Sequence, residues 1–352
     1  MPPKKKKKKR NIFILWIFLL LIPLGIVFTA IRYYRYIYQP NVVVATSADH
    51  YLLIPTGSDF EKVLALLYTK GIIRDHAAFE WVALKKSYNT RVKPGRYRIM
   101  NGMSNNELIN LLRSGKQEPV NVVFQNIRTK EDLAGKISHQ LEIDSSAFLA
   151  LLKDPSYLHE YNVTPATVFC LFIPNTYEFF WNTTSDQFIR RMKREQTKFW
   201  NNDRVASMKN IDLSIPEVIT LASIVEKESS KDDEKPAIAG VYINRLRKGW
   251  PLQADPTLIF AWNDYSIRRV LNKHKEIDSP YNTYMHTGLP PGPICLPSIA
   301  SVDAVLHYKK HNYMYFCAKD DLSGYHNFGS TLAEHNRNAE KYQAALKRLN
   351  IN

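Results

Sequence analysis

Cysteine is scarce in this sequence, and the usual metal-ligand patterns are missing. The three cysteines, Cys170, Cys295 and Cys317, allow at most one disulfide bond, and their spacing matches no zinc site. The ten histidines form neither an HExxH pair nor a Cys/His cluster. We therefore expect no metal and no cofactor, and we interpret the cysteines as small buried residues.

Acidic residues are few relative to basic ones, with 33 Asp and Glu against 48 Lys and Arg and a formal net charge of +15. Seven of the positive charges stand together at residues 4–10, directly before an apolar segment. Removing these seven from +15 leaves +8, which is spread along the chain without a second block of comparable density. The charge pattern therefore indicates membrane topology and disfavours a nucleic-acid partner.

Residues 12–31 form a 20-residue run without a charge. As a helix, this run is long enough to cross a hydrocarbon layer of about 30 Å. The basic residues before it predict a cytoplasmic N-terminus, and the tyrosines after it suit the opposite interface. We therefore predict a cytoplasmic tail at residues 1–11, a single-pass inner-membrane anchor at residues 12–31, and an extracytoplasmic remainder. A cleaved signal peptide is the alternative, but the run exceeds the usual apolar region of a signal and lacks a clear cleavage site.

The next stretch, residues 45–118, has the pattern of a small α/β module. Capping-box spacings occur at Ser58 with Glu61 and at Ser104 with Glu107, each ahead of an apolar helical pattern. The first four predicted elements resemble the LysM peptidoglycan-binding module. A spacer that lifts the following domain off the membrane is the alternative. The expected order is strand, helix, helix, strand, helix, at residues 51–54, 58–71, 77–86, 95–99 and 104–115.

The remainder, residues 119–352, is predicted to be a larger mixed α/β domain, so the expected fold class is α+β. It begins with a β-branched strand at residues 120–124 and a helix opened by Thr129 and Asp132. An aromatic-rich segment follows at residues 172–181. Such segments are more often core than binding surface, although exposed aromatic rings can stack on sugar faces.

The most informative segment is residues 221–228, in which two glutamates interrupt an apolar helical pattern. Ser214 and Glu217 have capping-box spacing at the start of this helix. Glu226 and Glu228 are two positions apart, so at about 100° per residue they point to roughly opposite sides. We predict that Glu226 is a catalytic acid, because apolar neighbours raise the pKa of a carboxyl group. Glu228 could instead bury against the rest of the domain as a structural ion-pair partner or assist Glu226, and the sequence leaves these two roles open. A further alternative is that both are solvated glutamates near a helix end.

Two later segments carry polar side chains that suit a binding edge. In the loop at residues 252–257, Asp255 is either a binding group or the N-cap of a helix that starts at Pro256. Residues 279–284 lie ahead of a proline-rich stretch, which makes the loop rigid. Both segments therefore offer polar groups for a binding edge, the first at a helix start and the second in a preorganised loop.

Together these motifs are similar to those of the YceG-like family, the MltG-type endolytic murein transglycosylases. The chain departs from the family pattern at residues 168–177 and at Leu296 and Ser298, where Asn-Pro-Gly is usual around Pro297. The similarity runs through five segments in register: IVEKE at 224–228, LQ and DPT within 252–257, SPYNTY at 279–284, GLPPGPI at 288–294 and EHN at 334–336.

The resemblance implies cleavage of the β-1,4 bond between N-acetylmuramic acid and N-acetylglucosamine in peptidoglycan glycan strands. A 1,6-anhydro ring closes on the muramyl sugar, and no water is consumed. The family's catalytic acid falls on Glu226, and its membrane anchor suggests that the enzyme limits strand length beside cell-wall synthases. The residues expected to hold the substrate are Gln253, Asp255, Thr257, Tyr281, Asn282, Thr283, Tyr284 and Asn336.

Two other functions fit the same residues. A muramidase-type hydrolase would cut the same bond with water and leave a reducing sugar end. A noncatalytic wall-binding scaffold would recruit a synthase without cutting glycan at all. The chemistry of the product end distinguishes the three.

Overall fold

A computed structural model describes residues 5–45 and 50–349 of the chain. These residues divide into two compact units. The first contains the chain up to Val120 together with residues 179–182, and the second contains the rest. Residues 1–4 of the predicted basic tail, and residues 46–49 of the predicted small module, lie outside the described part of the chain.

The first unit starts with a long helix, α1, at Lys5–Tyr38. Within the described residues, its segment Ile12–Tyr38 is the one helical stretch long and apolar enough to cross a membrane. The helix continues seven residues beyond the predicted anchor, because its last turns pack on the folded module. The Tyr33 ring stacks on Trp81 with ring centroids 4.7 Å apart, and the Asn105 amide donates a 2.8 Å hydrogen bond to the Tyr36 carbonyl.

The module that follows has the element order expected from its sequence. Strands β1 (His50–Ile54) and β2 (Gly95–Ile99) pair antiparallel, with His50 opposite Ile99 and Ile54 opposite Gly95. Two helices and a 3₁₀ turn connect them, and the buried Leu52 and Tyr97 contribute to the core of the module. The resemblance to a LysM module stays a prediction. The elements are β1 His50–Ile54, α2 Phe60–Thr69, α3 His76–Lys85, the 3₁₀ turn Tyr88–Thr90, β2 Gly95–Ile99 and α4 Asn105–Ser114.

Helix boundaries in this module follow local capping. The predicted box at Ser104 and Glu107 is confirmed, and α4 ends before Gly115 in the left-handed conformation, with φ 74°. The predicted start of α2 at Ser58 is wrong by one residue. Asp59 is the N-cap, because its backbone is extended and its carboxylate accepts a 2.8 Å hydrogen bond from the Lys62 amide.

The second unit is a mixed α/β fold in which helices predominate. Strand β3 (Val120–Val123) pairs with β4 (Thr176–Phe179). Strands β5 (Tyr315–Ala318) and β6 (His326–Gly329) form an antiparallel hairpin in which Tyr315 lies opposite Gly329. The elements are β3 Val120–Val123, α5 Lys130–Ser138, α6 Ser145–Lys153, α7 Pro155–His159, β4 Thr176–Phe179, α8 Ser185–Phe199, α9 Asn202–Ile211, α10 Ile215–Glu228, α11 Lys235–Arg247, α12 Asp255–Trp262, α13 Ile299–Leu306, β5 Tyr315–Ala318, β6 His326–Gly329 and α14 Leu332–Arg348.

Helix α10 forms the centre of this unit and packs against α11, α12 and α13. All eight residues from Val218 to Val225 are buried. Burial of this whole segment holds the end of α10 in a fixed orientation, so the acidic residues there are directed by packing. In the aromatic-rich segment, Phe172 and Tyr177 pack on Phe124, which confirms a core position for these two rings.

Candidate active site

The two glutamates at the C-terminal end of α10 face different surroundings, as their spacing predicts. Glu226 lies against α13 and the start of α11. Glu228 lies on the other side, against Tyr242 in the middle of α11. The structure therefore separates the two carboxyl groups into two distinct sites.

Glu226 is held in a network of charged and hydroxyl donors. Its carboxylate accepts a hydrogen bond of 2.6 Å from the Ser298 hydroxyl and another from the Ser301 hydroxyl. The Lys235 ammonium lies 3.1 Å from the same oxygen and 2.8 Å from Asp232. The Lys235 side chain is only 4% exposed and that of Glu226 18%, so this ion pair is largely withdrawn from water.

The surroundings of Glu226 do not favour the protonated form that the sequence predicts. Burial raises the pKa of Glu226. Hydrogen bonds from Ser298 and Ser301 and the charge of Lys235 lower it by more than burial raises it, so the net pKa lies below its ordinary value. Glu226 is therefore a carboxylate near neutral pH. The sequence pattern showed the apolar neighbours on α10 but not the donors that other elements bring to it.

Glu228 lies in a cleft of about 350 Å³ and accepts a hydrogen bond from the Tyr242 hydroxyl. The pKa of Glu228 is raised to about 7 in total: burial raises it most, the hydrogen bond from Tyr242 lowers it, the charge of Asp255 raises it and the charge of Arg245 lowers it. The carboxyl group is thus partly protonated near neutral pH. The cleft is lined by Glu228, Arg245, Gln253, Asp255, Tyr284, Tyr315, Phe316, Leu332 and His335.

Helix α11 forms one wall of this cleft. Tyr242 and Arg245 are three residues apart and lie on the same helix face. The buried Arg245 guanidinium donates hydrogen bonds to the carbonyls of Met314, at 2.8 Å, and of Leu252. Arg245 therefore links α11 to the residue before β5 and to the loop that carries the predicted binding residues.

The loop at residues 252–257 is fixed by hydrogen bonds to the segment that contains Thr283. Gln253 adopts φ 51°, a left-handed conformation that is uncommon for a residue with a side chain. The backbone amide of Gln253 donates a 2.9 Å hydrogen bond to the Thr283 carbonyl, and the Thr257 and Thr283 hydroxyls lie 2.9 Å apart. These bonds point the Gln253 side chain away from the core, where it is exposed at the cleft.

Asp255 is not the N-cap of α12. Ala254 occupies the cap position, and Asp255 is the first residue of the helix. The Asp255 carboxylate instead accepts a 2.5 Å hydrogen bond from the Tyr284 hydroxyl. The two side chains thus face each other within the cleft, and a capping role does not account for the carboxylate.

Three of the predicted binding residues, Gln253, Asp255 and Tyr284, line the cleft together. Three others lie beneath the loop and are inaccessible, with exposures of 0% for Thr257, 0% for Asn282 and 2% for Thr283. Their hydroxyl and amide groups bond to the surrounding loop, because buried polar groups need partners. The geometry gives these three a scaffolding position in place of the expected contact with substrate.

The last two predicted binding residues lie apart from the cleft. Tyr281 packs against Phe260 with ring centroids 4.7 Å apart and lines a different cavity. Asn336 is exposed on the outer face of α14. Its neighbour His335 faces the cleft instead, because successive residues of a helix point about 100° apart.

Sequence reasoning missed several residues that the fold brings to the cleft. Arg245, Tyr242 and Tyr315 belong to segments without a recognisable motif. His335 stacks on Tyr315 at 5.3 Å, and burial, assisted by the charge of Arg245, lowers the pKa of its imidazole. Only His335 stands inside a motif that the sequence analysis singled out.

Comparison with known proteins gives consistent results. The sequence matches the YceG-like family over residues 52–341. It is 32% identical over 308 residues to the endolytic murein transglycosylase of Bacillus subtilis (strain 168), covering 82% of this chain and 83% of the relative. It is 27% identical over 341 residues to the endolytic murein transglycosylase of Streptococcus pneumoniae serotype 2 (strain D39 / NCTC 7466), covering 88% and 61%. The crystal structure of a putative YceG-like protein from Listeria monocytogenes matches with a TM-score of 0.55 and 28% identity, over 82% of this chain and 98% of that one.

Proposed function

The chain belongs to the YceG-like family, and from this premise we propose that it is a membrane-anchored endolytic lytic transglycosylase of peptidoglycan. It cleaves the β-1,4 bond between N-acetylmuramic acid and N-acetylglucosamine and leaves a 1,6-anhydro-muramyl end. One observation carries the proposal: Glu228, a carboxyl group whose pKa is raised to about 7, stands in a polar cleft with Asp255 and Tyr284. The names of the bacterial relatives support the same reaction.

The proposed acid is Glu228, which replaces Glu226 in that role. A general acid works best when its pKa lies near the working pH, because it must hold its proton and still release it. Glu228 meets this condition, whereas Glu226 is ionised and paired with the buried Lys235. Glu226 instead holds the end of α10 in place.

In the first half of the reaction, the Glu228 carboxyl group donates its proton to the glycosidic oxygen as the bond to the muramyl carbon breaks. Positive charge develops on that carbon, and the nearby Asp255 carboxylate stabilises it. In the second half, the Glu228 carboxylate takes the proton from the 6-hydroxyl of the same sugar. The 6-oxygen then bonds to the muramyl carbon, so the proton count closes without water.

The remaining cleft residues hold the glycan. Gln253 and Tyr284 present an amide and a hydroxyl group that can bind acetamido and hydroxyl substituents of the sugars. Tyr315 and His335 form a stacked aromatic surface that suits the apolar face of a sugar ring. Specificity then arises from polar groups set in fixed positions by the loop beneath them.

Anchoring by α1 keeps the active site near newly made strands. The basic tail places the N-terminus in the cytoplasm and the catalytic unit outside the inner membrane. There the enzyme cuts nascent strands, limits their length and meets the synthases that make them. Residues 45–118 form a LysM-like wall-binding module, and residues 119–352 form the catalytic domain. Unchanged strand lengths after deletion of the protein would contradict this cellular role.

The deciding experiment is mass spectrometry of purified peptidoglycan after incubation with the detergent-solubilised full chain. Fragments ending in 1,6-anhydro-muramic acid support the transglycosylase. Reducing ends would instead favour a hydrolase, for which the cleft already holds a second carboxylate, Asp255, that could activate water. No cleavage would favour a wall-binding scaffold.

The pH dependence of cleavage should report on Glu228. Because the acid must be protonated, the rate should fall about tenfold per pH unit above a pH of about 7. Asp255→Asn removes a charge that raises this pKa, so the alkaline limb should move to lower pH. Tyr242→Phe removes a hydrogen bond that lowers it, so the limb should move to higher pH. Rates measured across pH for the three proteins check the prediction, and shifts in the same direction for both variants would contradict it.

A further inference from the structure

A second cleft lies within the first unit, where α1 meets the module, and is termed here the juxtamembrane cleft. Its volume is about 420 Å³. It belongs to the part of the chain where the apolar helix ends, far along the sequence from the residues of the candidate active site. Its lining consists of Phe28, Ile31, Arg32, Arg35, Tyr36, Gln39, Pro40, Asn41, Arg74, Asp75, Ala78 and Asn105.

One face of α1 forms the helical wall of this cleft. Ile31, Arg32 and Arg35 lie three, four and seven residues after Phe28, which places the four side chains in a single stripe. The stripe changes from apolar to cationic toward the end of the helix. Phe28 is 69% exposed and Ile31 50% exposed, so the apolar part is open to the surroundings. Such a stripe matches the change from hydrocarbon to headgroups across one leaflet.

The opposite wall adds a third cation in a rigid setting. Arg74 lies between the module core and α3, and its amide donates a 3.0 Å hydrogen bond to the Asn41 carbonyl. Asn41 is buried and donates a 2.7 Å hydrogen bond from its side chain to Asn105. This network fixes the linker after α1 against the start of α4. The position of the Arg74 backbone is therefore set before any ligand arrives.

The charges in the cleft do not cancel. Three guanidinium groups face a single carboxylate, that of Asp75, which also accepts a 3.0 Å hydrogen bond from the Ala78 amide as the cap of α3. Arg32 donates to the Tyr36 hydroxyl at 3.0 Å. Within residues 5–45 and 50–349, the side chains of Arg35 and Arg74 have no hydrogen-bond or ion-pair partner. Their donors are available to a ligand with several oxygen acceptors.

Membrane topology does not explain why Arg32, Arg35 and Arg74 lie together at this end of α1. In the proposed orientation they lie on the outer side of the membrane, where the positive-inside bias disfavours Lys and Arg. The basic tail at residues 4–10 already sets the orientation. A specific anionic ligand supplies the reason that topology does not.

We propose that the juxtamembrane cleft binds the phosphate headgroup of an anionic phospholipid from the outer leaflet of the membrane. Arg32, Arg35 and Arg74 bind the phosphate oxygens, and the acyl chains lie along Phe28 and Ile31. Guanidinium groups suit this ligand because their planar donors match phosphate oxygens in pairs. The proposal rests on the proposed anchoring by α1 but not on the proposed glycan chemistry. It gives the anchor a lipid preference.

The test is a titration of phosphatidylglycerol into the detergent-solubilised full chain, with bound lipid counted by native mass spectrometry. The wild type should bind phosphatidylglycerol in preference to phosphatidylcholine. The triple variant R32Q/R35Q/R74Q should weaken this binding by roughly fivefold per arginine removed. Arg74→Gln alone leaves α1 unchanged and should weaken it by about one such factor.

A matched control removes the same amount of charge from the module at positions outside the cleft. Lys62, Lys70 and Arg91 are exposed and do not line the cleft, so K62Q/K70Q/R91Q should bind phosphatidylglycerol as the wild type does. Equal losses in both triple variants, or no preference in the wild type, would overturn the site. Inorganic phosphate that displaces the lipid at equal concentration would overturn the assignment to a lipid.

Flotation with phosphatidylcholine vesicles separates this proposal from the earlier one. A chain that does not float after reconstitution lacks the anchoring on which both the site and the proposed localisation rest. A chain that floats but shows no lipid preference loses only the headgroup site. The glycan-cleavage assay is independent of both results.

Discussion

Glu228→Gln should abolish glycan cleavage while leaving the fold intact, with a rate loss of about a thousandfold. Glutamine keeps the size of the side chain and its ability to accept the Tyr242 hydrogen bond, but it has no proton to donate at neutral pH. The measurement is the initial rate of release of anhydro-ended fragments by the full chain. The circular dichroism spectrum should match that of the wild type.

Glu226→Gln is the matched comparison, because the two glutamates lie on the same helix two residues apart. At a temperature where it is folded, this variant should retain most of the wild-type rate. If Glu226→Gln were inactive and Glu228→Gln active, the acid would be Glu226, as the sequence analysis predicts, and the assignment to Glu228 would be wrong. A loss in both variants by the same factor would mean that the site depends on the geometry of the whole helix end.

Glu226→Gln should instead destabilise the catalytic unit by about 3 kcal/mol. It removes the charge that faces the buried Lys235 ammonium and leaves only Asp232 as a charged partner, and the side chain of Asp232 is 71% exposed. For a unit of this size, that loss corresponds to a fall in Tm of about 10 °C. Thermal unfolding of the full chain, followed by circular dichroism, checks the prediction. Glu228→Gln is the control, and its Tm should not fall.

A double variant tests whether the unpaired Lys235 ammonium causes the loss of stability in Glu226→Gln. Glu226→Gln combined with Lys235→Met removes both charges, so it should recover part of the stability that the single variant loses, since unpaired burial of the ammonium is the main penalty. The hydroxyl groups of Ser298 and Ser301 remain without their carboxylate and limit the recovery. A double variant less stable than the single one would show that the ion pair is not the source of the effect.

The two glutamates should also give stability opposite pH dependences. The folded pKa of Glu226 is lowered, so its contribution is present above the ordinary value of 4.5 and is lost as the pH falls through the folded pKa. The folded pKa of Glu228 is raised to about 7, so its contribution is greatest below 4.5 and is lost as the pH rises from there to about 7. The acid that serves the reaction therefore weakens the fold at neutral pH.

Much of the secondary structure could be predicted because its signals are local. The capping boxes at Ser104 and Thr129 are made by a residue and its partner three positions later, and both are present. The opposite directions of Glu226 and Glu228 also follow from the 3.6-residue period of a single helix. Where the prediction failed locally, at Ser58, a neighbouring aspartate competed for the same cap.

Local patterns are enough to predict the apolar helix, the order of the small module, and two acidic side chains on opposite faces of a buried helix. Which of these carboxyl groups stays ionised depends instead on tertiary packing. Lys235 and Ser301, which are 9 and 75 residues away from Glu226, supply charge and hydrogen bonds to it. Tyr242 and Asp255 lie beside Glu228 in a cleft, where burial raises the pKa of its carboxyl group. A pKa depends on every group within a few ångströms, and packing brings those groups together from segments whose local patterns do not reveal their contact.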